Sequence, residues 1–283
     1  MLSETDTVVR AMTDDGAFRV ITAHTSRTAR GAIESQHGRE PTARHFADLL
    51  TASVLFRETM APSLRVQGIV KHAGSSLVAD SHPSGMTRGL IQLAQGEDRF
   101  ELGDATVLQL MRTMPSGRIN QGFVQVGAEG GISHAFMEYM QVSEQVDTML
   151  AVDSVFEDGT LVRAGGYLVQ LLPEVGRGPL MVMTERLREF ENITTQLRDA
   201  SFSPDWLLEQ LLYGMPFTRL EESAIGFDCW CDELRVMSAL ASLGRATLEE
   251  LISDGELLQM SCDYCGTEYR IPPGKLRGLL APS

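Results

Sequence analysis

All four cysteines of the chain fall after residue 228. They form two close pairs, Cys229-Trp230-Cys231 and Cys262-Asp263-Tyr264-Cys265, with thirty residues between the pairs. Two such pairs brought together by a fold offer four thiolates in a tetrahedron, the donor set of a closed zinc site with Zn–S bonds near ~2.3 Å. Gly266 directly follows the last thiol, where a tight turn lets backbone N–H groups approach sulfur. The six histidines (His24, His37, His45, His72, His82 and His134) all lie far upstream, so the expected ligand set is cysteine alone.

The plainest chemistry for this site is structural, because metal staples modules too small to build an adequate core. A second chemistry is redox. Thiols spaced as C-x-C and C-x-x-C can oxidise with each other, and a module folded by metal loses its ligands when they do. A third reading makes Cys262-Asp263-Tyr264-Cys265 the dithiol of a thiol–disulfide oxidoreductase, but that motif belongs where a strand meets a helix in a βαβ unit. Here it sits between two strand-like runs, residues 256–260 and 267–271, as a knuckle at the turn of a hairpin.

The elements around the thiols follow from periodicity. Residues 233–243 and 247–252 have helical spacing, and Thr247-Leu248-Glu249-Glu250 has the spacing of a capping box with Thr247 as N-cap. The expected module is a ligand strand, two short helices and a ligand hairpin. Upstream, residues 179–190 and 204–213 are amphipathic helices, the second with Ser203 as N-cap and Pro204 in its first turn. Such helices need a surface to pack on. Leu180, Met181, Val182, Met183, Leu187 and Phe190 serve either as core packing or as a shield over a binding surface, for which adaptable methionine is suited.

The N-terminal part reads as mixed α and β. A helix is expected over residues 41–60 and another over 132–146. Strands are expected at 64–70, 89–94, 105–111, 122–126, 148–156 and 161–172, each bounded by turn-forming residues. The fold class is therefore α+β: a mixed core with an antiparallel-rich sheet over residues 1–174, a helical linker over 175–225, and a small zinc-binding module over 226–283.

Composition narrows the function. The net charge is −14 and Lys71 and Lys275 are the only lysines, so no basic stripe is available for nucleic acid or an anionic membrane. The N-terminus lacks a basic, then apolar, leader pattern and no run is long enough to span a bilayer, which points to the cytoplasm. In that reducing compartment thiols serve as metal ligands or redox groups rather than as permanent disulfides. No Ser–His–Asp arrangement, P-loop or dinucleotide fingerprint is present in the sequence.

The cysteine segments, with Asp254-Gly255-Glu256-Leu257 and the continuation Gly266-Thr267-Glu268-Tyr269, resemble the bacterial redox-regulated thirty-three-kilodalton heat-shock chaperone family. The resemblance extends upstream, in the same order, through Arg88-Gly89, Gln121-Gly122, residues 139–145 and residues 164–173. It implies a non-enzymatic, ATP-independent holdase that is off while Cys229, Cys231, Cys262 and Cys265 hold one Zn2+. It further implies switching on by disulfides Cys229–Cys231 and Cys262–Cys265, the latter as the peroxide-sensing pair. The oxidised homodimer, monomeric when reduced, then binds unfolding client proteins. Glu144, Gln145, Gly165 and Gly166 are expected to be architectural. The chain departs from the family at Asn120 and at Gly74-Ser75-Ser76. It also departs at Asp232, where serine is usual, and a carboxylate there is expected to alter the oxidation sensitivity of the thiols.

Overall fold

The computed structural model describes residues 5–127, 131–173 and 176–280, so the chain termini and the expected boundary at 174/175 lie outside the described residues. In chain order the elements are β1 (Asp6–Thr13), β2 (Phe18–His24), α1 (Ser26–Ser35), α2 (Thr42–Glu58), β3 (Arg65–His72), β4 (Ser75–Ser81), β5 (Met86–Gln92), β6 (Thr106–Thr113), β7 (Ile119–Val126) and α3 (Gly131–Tyr139). A π-helical turn over Met140–Glu144 continues α3. There follow β8 (Thr148–Glu157), β9 (Thr160–Leu171), α4 (Arg177–Glu189), α5 (Thr194–Arg198), α6 (Pro204–Leu211), β10 (Phe217–Phe227), α7 (Glu233–Ala241), α8 (Arg245–Ser253), β11 (Leu258–Ser261), β12 (Glu268–Ile271) and α9 (Pro273–Leu279). The mixed α+β class is as expected. Two compact units result, Met1–Asp228 and Cys229–Ser283.

The first unit is built on a ten-stranded sheet in the order β7-β6-β3-β4-β5-β10-β1-β2-β9-β8. Every neighbouring pair is antiparallel except β10 with β5, which run parallel over Gly226↔Met86 and Phe227↔Thr87. Strand β10 joins the two halves. Residues 217–225, expected as the end of a helical linker, are thus strand, paired along β1 from Thr13↔Phe217 to Asp6↔Ile225.

Along β1, β2, β8 and β9, apolar side chains alternate between two separate cores. Val8, Ile21, Ala23, Leu150, Val152, Ala164 and Leu168 enter one. Val9, Ala11, Phe18, Val20, Ala151, Tyr167 and Val169 enter the other. Period-two geometry makes this alternation obligatory once both sheet faces are buried.

The first core surrounds α2. The expected helix is formed and is buried round its circumference, with Phe46, Leu49, Leu50, Val54, Leu55 and Phe56 all within 1 % exposure. Close backbone approaches make this possible. A Cβ on Gly89 of β5 would lie 2.3 Å from the Val78 carbonyl oxygen and 2.5 Å from the Phe46 ring. Gly165 and Gly166 likewise press against the carbonyls of Ala23 and Ala151, at 2.6 and 2.4 Å from the same ideal Cβ position. Their architectural role is borne out. So is that of Glu144 and Gln145. Glu144 grips Arg112 of β6 at 2.9 and 3.0 Å, and Gln145 caps the π-turn in the left-handed region, with φ 58°.

Gly89→Ala is expected to cost roughly 1–3 kcal/mol or more, because the clash is with backbone and a packed ring. Urea unfolding followed by Trp206 fluorescence in a Trp230→Phe background measures it, and an unshifted midpoint would refute the close approach.

Candidate functional site

The second unit has little with which to hold itself together. Leu240, Leu248, Ile271 and Leu276 are its buried hydrophobic side chains among the described residues, with Val236, Met237, Leu258 and Met260 partly covered around them. Its sheet among the described residues is the hairpin of β11 and β12, registered from Leu258↔Ile271 to Ser261↔Glu268.

The four thiols converge in this unit. Cys229 and Cys231 lie in a segment without regular structure between β10 and α7, not on the strand expected for them, since β10 ends at Phe227. Cys262 and Cys265 sit on the hairpin turn, as expected. The turn is closed by Cys262 N–H donating to the Thr267 carbonyl at 2.9 Å and Gly266 N–H donating to the Cys262 carbonyl at 2.8 Å. Gly266 takes φ 71°, a conformation that glycine adopts without strain. The backbone of Tyr264 and Cys265 works to lower the Cys262 thiol, as amide groups turned toward a sulfur do.

The sulfurs all lie within 4.8 Å of one another, with Cys229 Sγ to Cys262 Sγ at 3.7 Å and Cys231 Sγ to Cys265 Sγ at 3.4 Å. A regular tetrahedron with ~2.3 Å bonds has edges of about 3.8 Å. The donor set and its spacing therefore fit a tetrahedral metal ion. No histidine or carboxylate joins the group among the described residues.

The thiols differ in environment. Burial raises the Cys262 thiol above its ordinary value. Burial also works upward on Cys265. Hydrogen bonds from the Thr267 hydroxyl, at 3.1 Å, and its backbone, with contacts from Cys231 and Cys229, outweigh it and bring Cys265 to about 7. Thr267 was not singled out from the sequence. Its position two residues after the last cysteine was the available signal.

Asp232 also has a defined task. It is the N-cap of α7: its Oδ1 accepts from the Arg235 N–H at 2.7 Å, and its Oδ2 lies 3.5 Å from Arg235 Nε. Serine caps helices by the same bond, so the departure from the family pattern preserves the local structure, and the carboxylate faces a helix N-terminus and a guanidinium. The expected cap at Thr247 is not formed. Gly244 occupies the N-cap position of α8 and Thr247 lies inside the helix, because the helix starts one turn earlier than the capping-box spacing suggests. Ser203 does cap α6, accepting from the Trp206 N–H at 3.1 Å.

In the first unit, α4, α5 and α6 lie over the second face of the sheet. Met183, Phe190, Ile193, Leu197, Phe202, Leu207, Leu208 and Leu211 pack on Val9, Val20, Tyr167 and Val169. The expected apolar set of α4 divides: Met183 and Phe190 are buried and Leu187 is partly so, while Leu180, Met181 and Val182 are 38, 72 and 52 % exposed. Polar anchors supplement this packing, among them Arg163 donating to the Asp199 carbonyl at 2.6 Å and Arg219 to Asp205 at 2.7 and 3.2 Å. Tyr167 Oη donates to the Phe190 carbonyl at 3.1 Å, Thr22 Oγ1 to the Pro204 carbonyl at 2.8 Å, and Thr194 Oγ1 to Asp153. The covered sheet face was missed in the sequence, although unbroken apolar runs such as Val8-Val9 and Val20-Ile21 signal two-sided burial.

The family model described as "Hsp33 protein" matches residues 6–272 of the chain. A 33 kDa chaperonin of Syntrophotalea carbinolica is 29% identical over 289 residues, covering 98% of this chain and 99% of that protein. A 33 kDa chaperonin of Geobacter sulfurreducens is 28% identical, over 97% and 95% of the two chains. The fold is similar to the crystal structure of the 33 kDa chaperonin of Thermotoga maritima, with a TM-score of 0.82 and 19% identity over 98% of each chain.

Asp232→Ala is expected to destabilise the second unit by about 1 kcal/mol, while Asp232→Ser stays within about 0.5 kcal/mol of wild type. Urea unfolding of the reduced protein, read by Trp230 fluorescence, distinguishes the two. Equal losses in both variants would show that the cap is not what the carboxylate contributes.

Proposed function

The chain belongs to the Hsp33 family, and we propose that it is an ATP-independent, cytoplasmic holdase switched on by oxidation. The observation that carries this reading is the convergence of four sulfurs in a unit with only four buried hydrophobic side chains among its described residues. A fold so poor in apolar burial depends on its ligands, so chemistry at the thiols acts on the whole unit.

In the resting state Cys229, Cys231, Cys262 and Cys265 hold one zinc ion as thiolates. When bound, the ion supplies a closed structural cross-link between the segment before α7 and the β11–β12 hairpin. The core of residues 1–174 presents the client surface, α4–α6 within residues 175–225 cover it while β10 completes the sheet, and residues 226–283 form the switch. The apolar set on the second sheet face, Val9, Ala11, Val20, Tyr167 and Val169, matches what an unfolding client exposes. Exposed Met181 and Val182 extend the same chemistry onto α4.

Oxidation removes the ligands two at a time. With peroxide, one thiolate of a pair takes oxygen to become a sulfenic acid and hydroxide leaves. The partner thiol then displaces water to form the disulfide, so each pair gives up two electrons and one peroxide is reduced. With hypochlorite the electrons end on chloride. The expected products are Cys262–Cys265 and then Cys229–Cys231. In the folded unit all four sulfurs are close, and the approaches of 3.7 and 3.4 Å run between the pairs. Local pairing follows once the unit loosens, because ring closure over one or two intervening residues needs far less chain ordering than over thirty. The loosened switch frees α4–α6 from the sheet. The exposed face then takes up clients and a second copy, giving the homodimer.

Light scattering of a thermally unfolding client tests the reading. Suppression by the oxidised protein and none by the reduced zinc-loaded protein is expected, and equal behaviour of the two would overturn it. Peptide mapping of the oxidised chain tests the pairing. Cys229–Cys231 and Cys262–Cys265 are expected, whereas a dominant Cys229–Cys262 or Cys231–Cys265 bridge would mean that the folded unit is oxidised without loosening.

A further inference from the structure

Within the first unit, positive charge is gathered at one cavity of about 390 Å³, bounded by β1, β2, β10 and the end of α2. Three arginines from three elements line it: Arg10 of β1, Arg19 of β2 and Arg57 from the last turn of α2. In a chain with net charge −14 such a grouping is not a consequence of composition. Two carboxylates accompany them. Glu58, buried, accepts from both Arg10 and Arg57, and Glu221 of β10 lies near enough to act on Arg10. Three cations against two anions leave one positive charge in surplus.

The bonds within the cluster are specific and incomplete. Arg57 Nε donates to Ser81 Oγ at 2.9 Å and its Nη2 to Glu58. Arg10 Nη1 donates to the Glu221 carbonyl at 2.9 Å and its Nη2 to Ser223 Oγ at 2.7 Å and to Glu58. Arg19 donates through Nη1 and Nη2 to the carbonyls of Thr59 and Glu58, at 3.2 and 2.9 Å, which fixes it at the C-terminus of α2. These bonds leave Nη1 of Arg57 and Nε of Arg19 without an acceptor among the described residues. Burial, and the repulsion of Arg10 by Arg19 and of Arg57 by Arg10, hold the three guanidinium groups below their ordinary range, Arg57 at about 10. The cluster is strained toward taking up negative charge.

We propose that this cavity binds a tetrahedral oxyanion of the phosphate type, through the free N–H groups of Arg57 and Arg19 beside Arg10 and the Ser223 hydroxyl. Planar guanidinium forks match phosphate oxygens, and charge-assisted bonds of this kind are the strong ones. The volume exceeds one phosphate, so the anion is either free or the end of a larger phosphorylated molecule. Because Ser223 and the Glu221 carbonyl belong to β10, occupancy ties that strand to β1 and α2 and stabilises the first unit by mass action. The site is independent of the chaperone reading.

The test uses the full-length, reduced, zinc-loaded protein, titrated with inorganic phosphate, pyrophosphate and adenosine triphosphate against sodium chloride at equal ionic strength. Calorimetry and thermal unfolding provide the readout. Saturable binding with a raised Tm is expected, and the tightest of the three probes identifies whether the free ion or a terminal phosphate is preferred. Arg19→Gln is expected to weaken binding about tenfold or more, because it removes one charged donor. Glu58→Gln, which removes a competing carboxylate, is expected to tighten it, and phosphate should then restore any stability that variant loses. No saturable binding beyond that of chloride, or binding undiminished in Arg19→Gln and unimproved in Glu58→Gln, overturns the proposal.

Discussion

A sheet that is apolar on both faces must be covered on both, and this constraint organises the first unit. Strands β1, β2, β8 and β9 send alternate residues into two cores. One face is sealed by α2, which is itself buried all round and gripped by glycine-mediated approaches such as that at Gly89. The other is sealed by three helices of thirteen, five and eight residues, held by a handful of side chains and carbonyl bonds. The two coverings are unequal by construction. The first is integral to the fold, while the second consists of elements too short to persist without the surface beneath them.

The second unit shows the complementary situation. Its helices and hairpin are individually well specified, by the Asp232 cap and the Gly266 turn, yet they have little apolar surface to share. Four convergent thiols occupy the place where a larger core would otherwise be. Under the proposed function such a unit depends on the state of its donors, because thiols bind metal and change oxidation state while methyl groups do not.

The thiol cluster was the most legible part of the sequence, since residue type, spacing and the following glycine all point to one local geometry. The Ser203 cap and the roles of Gly165, Gly166 and Glu144 were legible for the same reason: each is a local device with a distinctive residue. What the sequence obscured is tertiary. Strand β10 carries Thr218, Arg219, Glu221 and Glu222 on a largely exposed ribbon, and its pairing, chiefly with β1, makes it a strand. Thr247 has the right spacing for a cap, but the helix begins earlier, at Gly244. The departure at Asp232 looked like an electrostatic perturbation of the thiols. Its side chain has in addition a local task, capping the α7 N-terminus.

Strand β10 has a further, mechanical meaning. Its seam with β1 is long and antiparallel, running from Phe217 to Ile225, whereas its seam with β5 consists of the two pairs at Gly226 and Phe227. Tension applied along the chain from the cysteine end meets the short seam first and loads the long one in shear. The sheet is therefore joined between β5 and β10 by only two residue pairs, placed two residues before Cys229, and it is the shared core around α2 that holds its halves together.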